Sequence, residues 1–369
     1  MDKKKNGIYC FYNVDGRLES ETTFKDGKKD GIEREWFFCR DKIKRETSWK
    51  DGKKDGIERQ WNYFGGKLGR EIPYKAGKLD GIAKEYYDNG ELEKEIPYKV
   101  GKLDGIVKEY YDDGTLRREA PYKDDKKDGI EREWNSDGAL RRETHYKAGK
   151  LDGIVKVYYD NGQLRSEKFY KVGKLDGIVK EYYDDGQLMS ETPWKDDKKD
   201  GVEREWYPNG NLKSESTCKD GNLNGLCREW YPDGTPKFEA TFKDGKYNGR
   251  VKSYWSNGKL RSEASYKAGE CDGIAKEYYD NGSLRHEYIC KDGKLDGLCR
   301  TWSRFGKLVS EEPYKDGNLD GVCYRYHDNG IVRWEITFHD GKAVAGSCKE
   351  VKCEQHDEDV AQRSGGMRR

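Results

Sequence analysis

The sequence has 369 residues, of which 33% are hydrophobic and 39% are charged, and its mean hydropathy is -1.19. This composition excludes a thick apolar core, while 44 Gly, 27 Tyr and 10 Trp exclude a simple solvated tail. High charge combined with regularly placed aromatic residues and glycines is typical of a repeat protein, in which each unit buries a small area against its neighbours.

The charges nearly cancel, because 72 basic and 71 acidic residues leave a net charge of +1. No polybasic block stands out, so we expect no nucleic acid partner, and binding to an anionic membrane surface is disfavoured. The first residues, MDKKKNGIYCFYN, lack the apolar segment of a signal peptide, and no apolar run reaches the length of a membrane span. These features predict a cytoplasmic protein.

Glycine spacing defines one repeat of 24 residues, two copies of which carry one inserted residue. The array is predicted to cover residues 7–344, after a leader of residues 1–6 and before a flexible polar tail of residues 345–369. We expect one continuous domain without a linker. The fourteen units begin at Gly7, Gly31, Gly56, Gly81, Gly105, Gly129, Gly153, Gly177, Gly201, Gly225, Gly249, Gly273, Gly297 and Gly321.

The unit of residues 153–176, GIVKVYYDNGQLRSEKFYKVGKLD, predicts a β-hairpin. IVKVYY is rich in β-branched and aromatic residues, Asn161-Gly162 is a signature of a two-residue turn, and QLRSEKFYK is the return strand. The predicted fold class is therefore all-β, an elongated single-layer antiparallel meander of about fourteen hairpin repeats. A flat sheet of that length is implausible, so we expect a twisted ribbon.

A two-residue turn would place a cation of each first strand opposite a glutamate of the return strand, as a cross-strand ion pair. The glutamate is found in all fourteen units, and its partner position holds Lys or Arg in twelve. We expect these exposed pairs to form a structural ladder that penalises slipped registers rather than a set of catalytic acids. Representative pairs are Lys84 with Glu95, Lys108 with Glu119, Lys156 with Glu167, and Lys180 with Glu191.

An aromatic residue ends every first strand. Together with Leu164, Tyr170 and their equivalents, these aromatics are predicted to form a thin core, with polar edges in water. Tyrosines at the end of the strand and at the start of the turn are also candidates for an exposed binding surface. These candidates are Tyr110, Tyr111, Tyr158, Tyr159, Tyr182 and Tyr183.

Two further patterns concern the connection between units. Lysine before the junction aspartate is always followed four residues later by glutamate, as in Lys127 and Glu131, whereas other junctions use pairs such as Leu175 and Val179. Either units were copied as blocks, or the two side chains touch, which the varied apolar combinations favour. Proline late in the return strand predicts broken or bulged pairing there. It occurs at Pro73, Pro97, Pro121, Pro193 and Pro313.

The segment YYDNGQLRSEKFYKVGKLDG, residues 158–177, resembles the variant MORN (membrane occupation and recognition nexus) repeat of the YwqK-like proteins. Tyr170, Gly173 and Gly177 match the aromatic-and-glycine frame of the standard repeat. The chain departs from that frame at Asp176, where the standard repeat usually has His, and at Gly177-Ile178-Val179. The resemblance implies an elongated hairpin array used for protein contacts. Bacterial YwqK-like members are often labelled antitoxins.

Reactive side chains are few and scattered. A two-residue turn would place Cys218 across from Cys227 and Cys290 across from Cys299, and reduced, packed thiols are the default in an intracellular chain. The tail offers candidate zinc ligands in a C-x4-C-x2-H spacing, which is not a familiar zinc pattern. These candidates are Cys348, Cys353 and His356.

These features favour a non-enzymatic scaffold, without a cofactor, that binds one or more protein partners through an extended β surface. The alternatives are an antitoxin or immunity protein that neutralises one toxin and, less favoured, a protein that binds phosphoinositides at a membrane surface. Because strand edges at the ends of such a sheet lack partners, end-to-end association between copies is a further expectation.

Overall fold

In the computed structural model, which describes residues 5–38 and 42–350, the secondary structure is β-strand without helix. Contacts divide the chain into two compact units, Met1–Asp197 and Lys198–Arg369. Eight hairpins lie in the first unit and six in the second, and the strand pairings of the described residues are antiparallel. The predicted all-β meander of tandem hairpins is confirmed.

The strands of the first unit follow one another in chain order: β1 Gly7–Tyr12, β2 Leu18–Lys25, β3 Lys28–Trp36, β4 Ile43–Lys50, β5 Lys53–Lys54, β6 Gly56–Trp61, β7 Leu68–Lys75, β8 Lys78–Leu79, β9 Gly81–Tyr86, β10 Leu92–Lys99, β11 Lys102–Leu103, β12 Gly105–Tyr110, β13 Leu116–Lys123, β14 Lys126–Lys127, β15 Gly129–Trp134, β16 Leu140–Lys147, β17 Lys150–Tyr158, β18 Leu164–Lys171, β19 Lys174–Leu175, β20 Gly177–Tyr182 and β21 Leu188–Lys195.

The second unit continues the same alternation of first and return strands: β22 Lys198–Lys199, β23 Gly201–Trp206, β24 Leu212–Lys219, β25 Asn222–Trp230, β26 Pro236–Lys243, β27 Lys246–Tyr254, β28 Leu260–Lys267, β29 Glu270–Tyr278, β30 Leu284–Lys291, β31 Lys294–Leu295, β32 Gly297–Trp302, β33 Leu308–Lys315, β34 Asn318–Leu319, β35 Gly321–Tyr326, β36 Val332–His339, β37 Lys342–Ala343 and β38 Lys349–Glu350.

The turn inside each hairpin is one residue longer than the sequence predicts. Tyr159 N–H donates to Gln163 O at 2.8 Å and Gly162 N–H donates to Tyr159 O at 2.9 Å. Gly162 has φ 82°, whereas Asn161 has no positive φ, so the connection is a three-residue turn with a left-handed third residue. The prediction of a two-residue turn at Asn161-Gly162 is therefore wrong.

A bulge in the return strand compensates for the longer turn. Tyr158 pairs with Leu164, but Val157 pairs with Ser166, which leaves Arg165 as an extra residue. The additional turn residue and the bulge shift the register in opposite directions. Lys156 consequently lies opposite Glu167, as the shorter turn predicts.

The connection between hairpins is a tight turn followed by a larger irregularity. Lys171 pairs with Lys174 across Val172 and Gly173, which both have positive φ, as a two-residue turn of this handedness requires. The register of the pairing then shifts by two residues, because Tyr170 pairs with Leu175 but Glu167 pairs with Lys180. The break predicted from the late prolines is confirmed at this position.

The glycine that begins each unit is required at this irregularity. Gly177 has φ 139°, and a Cβ built on it would lie 2.8 Å from the Phe169 Cβ. A side chain at this position would both strain the backbone and collide with the preceding strand. The periodic glycine of the sequence therefore marks a close approach between two strands.

The most buried side chains are small rather than aromatic, in contrast to the predicted aromatic core. The two positions concerned are the third residue of the first strand and the residue that follows the ladder glutamate. The aromatics are mostly half-buried. Fully or almost fully buried examples are Thr47, Ala83, Ala120, Thr144, Val155, Ala240 and Ala275.

The repeat extends beyond residue 344, where the flexible tail was predicted to begin. Strand β38 pairs with β36, with Lys349 opposite Glu335, and their charged groups are 2.9 Å apart. Gly346-Ser347-Cys348-Lys349-Glu350 thus follows the pattern of a first strand. Residues 351–369, the rest of the predicted tail, lie outside the described residues.

Candidate functional site

Side chains alternate between the two faces of each strand, so each repeat contributes the same rows to the same face. We use the term ladder face for the face that carries Lys156, Glu167, Tyr158 and Leu164 in the repeat of residues 153–176. Three parallel rows cross it: an aliphatic row near the unit-to-unit turns, the charged row, and a tyrosine–leucine row near the hairpin turns.

The charged row is continuous rather than a set of isolated pairs. In the first unit, the Arg132 guanidinium contacts Glu119 and Glu143 at 2.9 Å each, so one cation joins two hairpins. Arg34 joins Glu21 and Glu46 in the same way. Each of these glutamates therefore belongs to a row that crosses from one hairpin to the next.

The four predicted ion pairs all occupy directly opposed positions in the sheet. The Nζ–Oε1 distance is 3.9 Å from Lys84 to Glu95 and 3.5 Å from Lys156 to Glu167. Arginine makes the shorter contacts of the row because its planar guanidinium reaches both neighbours.

The other two predicted pairs differ from simple exposed contacts. Lys108 lies opposite Glu119, but the contact of Glu119 at 2.9 Å is with Arg132 of the next hairpin. Lys180 lies opposite Glu191, and Glu191 is half-buried rather than exposed. Glu95, Glu119 and Glu167 are half-buried too, so the expectation of exposed pairs is wrong for the glutamates of all four.

The six tyrosines expected to be exposed are half-buried instead. Those that end a first strand donate to a glutamate of the previous repeat: Tyr110 to Glu95 at 3.1 Å, Tyr158 to Glu143 at 3.1 Å and Tyr182 to Glu167 at 3.5 Å.

The tyrosines at the start of the turn bind to the following repeat. Tyr111 donates to Trp134 O at 2.8 Å and Tyr159 to Tyr182 O at 2.7 Å, and Tyr183 is half-buried like them. Both sets of tyrosines therefore connect neighbouring repeats, and their hydroxyls are directed at the protein.

The electrostatics of this row oppose proton transfer near neutral pH. Burial would raise the pKa of Glu143, but hydrogen bonds from Arg132 and Tyr158 and nearby cations lower it overall. Burial and then the charge of Glu143 raise the pKa of Tyr158 to about 12. The carboxylate is thus held ionised and the phenol protonated, so neither group is poised as an acid or base.

The aliphatic row of the ladder face is a feature that the sequence analysis missed. In the first unit, Ile106 pairs with Pro121 and Ile178 with Pro193, and the equivalent positions pair in each hairpin between residues 56 and 195. We name this row the isoleucine stripe; from residue 57 to 193 it consists of Ile57, Pro73, Ile82, Pro97, Ile106, Pro121, Ile130, His145, Ile154, Phe169, Ile178 and Pro193.

The isoleucine stripe is open to solvent along much of its length. Ile82 is 53% exposed, Ile106 is 50% and Ile178 is 44%. Twelve side chains on successive strands, at about 4.8 Å per strand, make a stripe on the order of 50 Å long. A signal was present in the sequence, because thirteen of the fourteen unit-start glycines precede Ile, Val or Leu; the exception is Arg250.

A family comparison agrees with this repeating architecture. The profile of the MORN repeat variant matches ten segments, which together span more than half of the chain: residues 79–99, 103–124, 127–148, 151–171, 175–196, 199–220, 223–244, 247–268, 272–289 and 295–316. The chain belongs to the MORN repeat variant family. The resemblance of residues 158–177 to the variant MORN repeat is thus confirmed.

Comparison with solved structures adds little to this MORN repeat variant assignment. The crystal structure of TcdB2-TccC3-Cdc42 is similar at 13% identity over 91% of this chain and 22% of that one, with a TM-score of 0.16. The Photorhabdus luminescens Tc holotoxin pore with the TccC3-D651A mutation is similar at 13% identity over 91% of this chain and 19% of that one, also with a TM-score of 0.16. The chain spans about a fifth of these structures, and TM-scores this low support no argument. No curated protein matches.

The opposite face of the MORN repeat variant sheet carries buried ion clusters. Glu131 is 4% exposed; both of its oxygens lie 2.9 Å from Lys127 Nζ, and Arg118 Nε donates to it at 2.6 Å. Burial would raise the pKa of Glu131, but Lys127 and Arg118 lower it. Direct contact between the two side chains therefore accounts for the pattern in which a junction lysine is followed four residues later by glutamate. The same lysine–glutamate contact joins Lys29 to Glu33, Lys54 to Glu58 and Lys199 to Glu203.

The predicted cysteine pairs of this MORN repeat variant do not face each other. Cys218 lies opposite Leu223, while Cys227 lies opposite Ser216 and contacts its hydroxyl at 3.3 Å. Cys290 likewise lies opposite Leu295 rather than Cys299. The unit-to-unit turn lies at Asp220-Gly221, whereas pairing of Cys218 with Cys227 would need a turn two residues later.

The candidate zinc ligands are only partly described. Cys348 lies in the strand-like segment before β38 and is exposed, and Cys353 and His356 lie outside the described residues. Within residues 5–38 and 42–350, no group of three or more His, Cys, Asp or Glu side chains could hold a metal ion. Across the same residues, no helix is long and apolar enough to cross a membrane.

Proposed function

We propose that this protein is a non-enzymatic scaffold that binds protein partners along the ladder face of its first unit. The isoleucine stripe is the observation that supports this proposal. An exposed apolar stripe with charged borders is characteristic of a protein interaction surface, because solvating it is unfavourable and the charges select the partner.

The geometry indicates how a partner would bind. The backbone groups inside the sheet are already paired with neighbouring strands, so a partner would contact side chains rather than add a strand there. Apolar groups of the partner would cover Ile82, Ile106 and Ile178, while its polar groups would meet the Lys/Arg–Glu row beside them. Binding would therefore be distributed over several repeats.

Partner capture from the native source, followed by mass spectrometry, tests the proposal. The variant carries Ile82→Glu, Ile106→Glu and Ile178→Glu, which place charge in the stripe. Arg250 holds the equivalent position in another repeat, which indicates that the hairpin tolerates a charged residue there. We expect the variant to fold and to lose at least about tenfold in affinity for the partners that the wild type retains.

A matched control adds the same charge elsewhere. Thr115→Glu, Gln163→Glu and Gln187→Glu alter exposed residues of the hairpin turns and should leave binding unchanged. Deleting one repeat, residues 105–128, should weaken binding only partly. Equal binding by wild type and stripe variant would refute the proposal, as would complete loss of binding from one substitution in a folded protein.

A further inference from the structure

The unit-to-unit turns of the first unit form a row of lysines along one edge of the sheet. At each of seven turns, one lysine ends a return strand and a second lies directly opposite it on the next strand; all are exposed. We name this row the lysine edge; its pairs are Lys25/Lys28, Lys50/Lys53, Lys75/Lys78, Lys99/Lys102, Lys123/Lys126, Lys147/Lys150 and Lys171/Lys174.

The fold does not require lysine at these positions. In the second unit, Lys243/Lys246 and Lys291/Lys294 keep the lysine pair, but three turns with the same pairing replace its second lysine: Lys219/Asn222, Lys267/Glu270 and Lys315/Asn318. Like charges directly opposite each other in a sheet are destabilising. The lysine pairs of the first unit are therefore dispensable for the turn and unfavourable by themselves.

Acidic residues within the first unit neutralise only part of this edge. Lys102 contacts Asp124 and Lys174 contacts Asp196, at 3.1 and 3.2 Å. At the positions equivalent to these aspartates, four other turns carry no carboxylate. The residues there are Ala76, Val100, Ala148 and Val172.

The opposite edge of the same unit is acidic. Between residues 87 and 187 the hairpin turns carry exposed carboxylates and no lysine or arginine. Two of the three nearby bulge arginines are engaged on the sheet, Arg117 with Glu109 at 2.7 Å and Arg165 over the ring of Tyr159, while Arg141 is exposed. We name this row the acidic edge; it consists of Asp88, Glu91, Asp112, Asp113, Asp137, Asp160, Asp184 and Asp185.

We propose that the lysine edge of one copy binds the acidic edge of a second copy, so that two first units lie side by side. Both edges belong to the same repeat and recur every two strands, or about 9.6 Å. One alignment therefore places several lysine pairs opposite several acidic turns at once. Many weak contacts in register give a specific interface where one exposed pair would not.

Sedimentation velocity of the full chain at increasing NaCl concentration is the first test. The wild type should associate at about 0.05 M NaCl, and its association constant should fall at least about tenfold by about 0.5 M. A wild type that stays monomeric at low salt would overturn the proposal. So would association that is unaffected by salt.

Two charge-reversed variants provide the decisive comparison. The lysine-edge variant carries Lys99→Glu, Lys102→Glu, Lys147→Glu and Lys150→Glu, and the acidic-edge variant carries Asp88→Lys, Asp112→Lys, Asp160→Lys and Asp184→Lys. Glu270 and Arg304 hold equivalent positions elsewhere in the array, so the turns accommodate both changes. Each variant alone should be monomeric, because two like-charged edges then meet, and their mixture should associate again.

A control variant distinguishes association through this interface from non-specific attraction between charged proteins. Lys243→Glu, Lys246→Glu, Lys291→Glu and Lys294→Glu change the net charge equally but lie in the second unit. This control should associate like the wild type and should not restore association to the acidic-edge variant. Restoration by the control would overturn the proposal. So would a lysine edge that binds duplex DNA or phosphatidylserine vesicles while the copies remain apart.

Discussion

Lys156 Nζ lies 3.5 Å from Glu167 Oε1, although the turn that joins their strands is not the one that predicts this pair. The three-residue turn shifts the register by one residue, and the bulge at Arg165 shifts it back. The ion pair is thus kept by two deviations that cancel. It shows that the register follows from side-chain pairing together with the turn and not from the turn alone.

Alanine at a unit-start glycine should destabilise the hairpin more where less space is available for its Cβ. Gly153 and Gly249 have nearly equal φ, 118° and 120°, but a Cβ would lie 2.9 Å from His145 Cβ at Gly153 and 3.5 Å from Thr241 Cβ at Gly249. We expect Gly249→Ala to lower the free energy of unfolding by about 1 kcal/mol, from backbone strain, and Gly153→Ala to lower it by about 2–3 kcal/mol. Native-state hydrogen exchange of each hairpin measures both, and equal costs would contradict the steric explanation.

Asparagine at position 172 should stabilise its turn. Val172 is 59% exposed and has φ 50°, a left-handed conformation that β-branched residues adopt with strain and asparagine adopts readily. Val172→Asn should raise the local free energy of unfolding by about 0.5–1 kcal/mol. Hydrogen exchange of the amides on both sides of the turn measures it. Val155→Asn, at a buried position of normal φ, should destabilise; a loss of stability in Val172→Asn would contradict the strain argument.

Removal of the buried carboxylate of Glu131 should lower the free energy of unfolding, because the two cations beside it lose their common partner. Glu131→Gln leaves Lys127 and Arg118 without their shared anion, and we expect a loss of about 3 kcal/mol in the free energy of unfolding. Urea denaturation checks this value.

The chain itself provides the rescue for that variant. Lys127→Leu with Glu131→Val reproduces the pair of Leu103 and Val107 at another junction, and Arg118 keeps its contact with Glu109 at 3.2 Å. The double variant should recover most of the lost stability. Failure of this rescue would show that the cluster is needed for more than local neutralisation.

The free energy of unfolding should fall in alkaline solution as half-buried phenols such as that of Tyr158 ionise. The pKa of Tyr158 is raised from 10.0 to about 12, by burial first and Glu143 second. Because the folded pKa exceeds the unfolded one, this contribution is complete below pH 10.0 and is lost as pH rises towards 12. The difference in absorbance titration between wild type and Tyr158→Phe reports this group. Glu143→Gln should lower its pKa, and titration of Tyr158 near pH 10 in the wild type would contradict the prediction.

Much of the candidate site could be anticipated from local patterns. The ladder glutamates and their cations are eleven or twelve residues apart within one hairpin, so their pairing is local and can be inferred from one repeat. The tyrosines could not be placed in this way. Tyr158 donates to Glu143 and Tyr159 to Tyr182 O, so their burial depends on neighbouring repeats rather than on their own strand.

The sequence by itself determined the period, the hairpins and the opposed charges, because each depends on residues close together in the chain. Only the tertiary structure decided which surfaces those repeats create. Ile82 and Ile106 are 24 residues apart, as are Lys75 and Lys99, and strand pairing brings each set into one row. The register around Cys218 and Cys227 was likewise decided by the structure, because the turn at Asp220-Gly221 and the two-residue shift after it set Cys218 opposite Leu223 and Cys227 opposite Ser216.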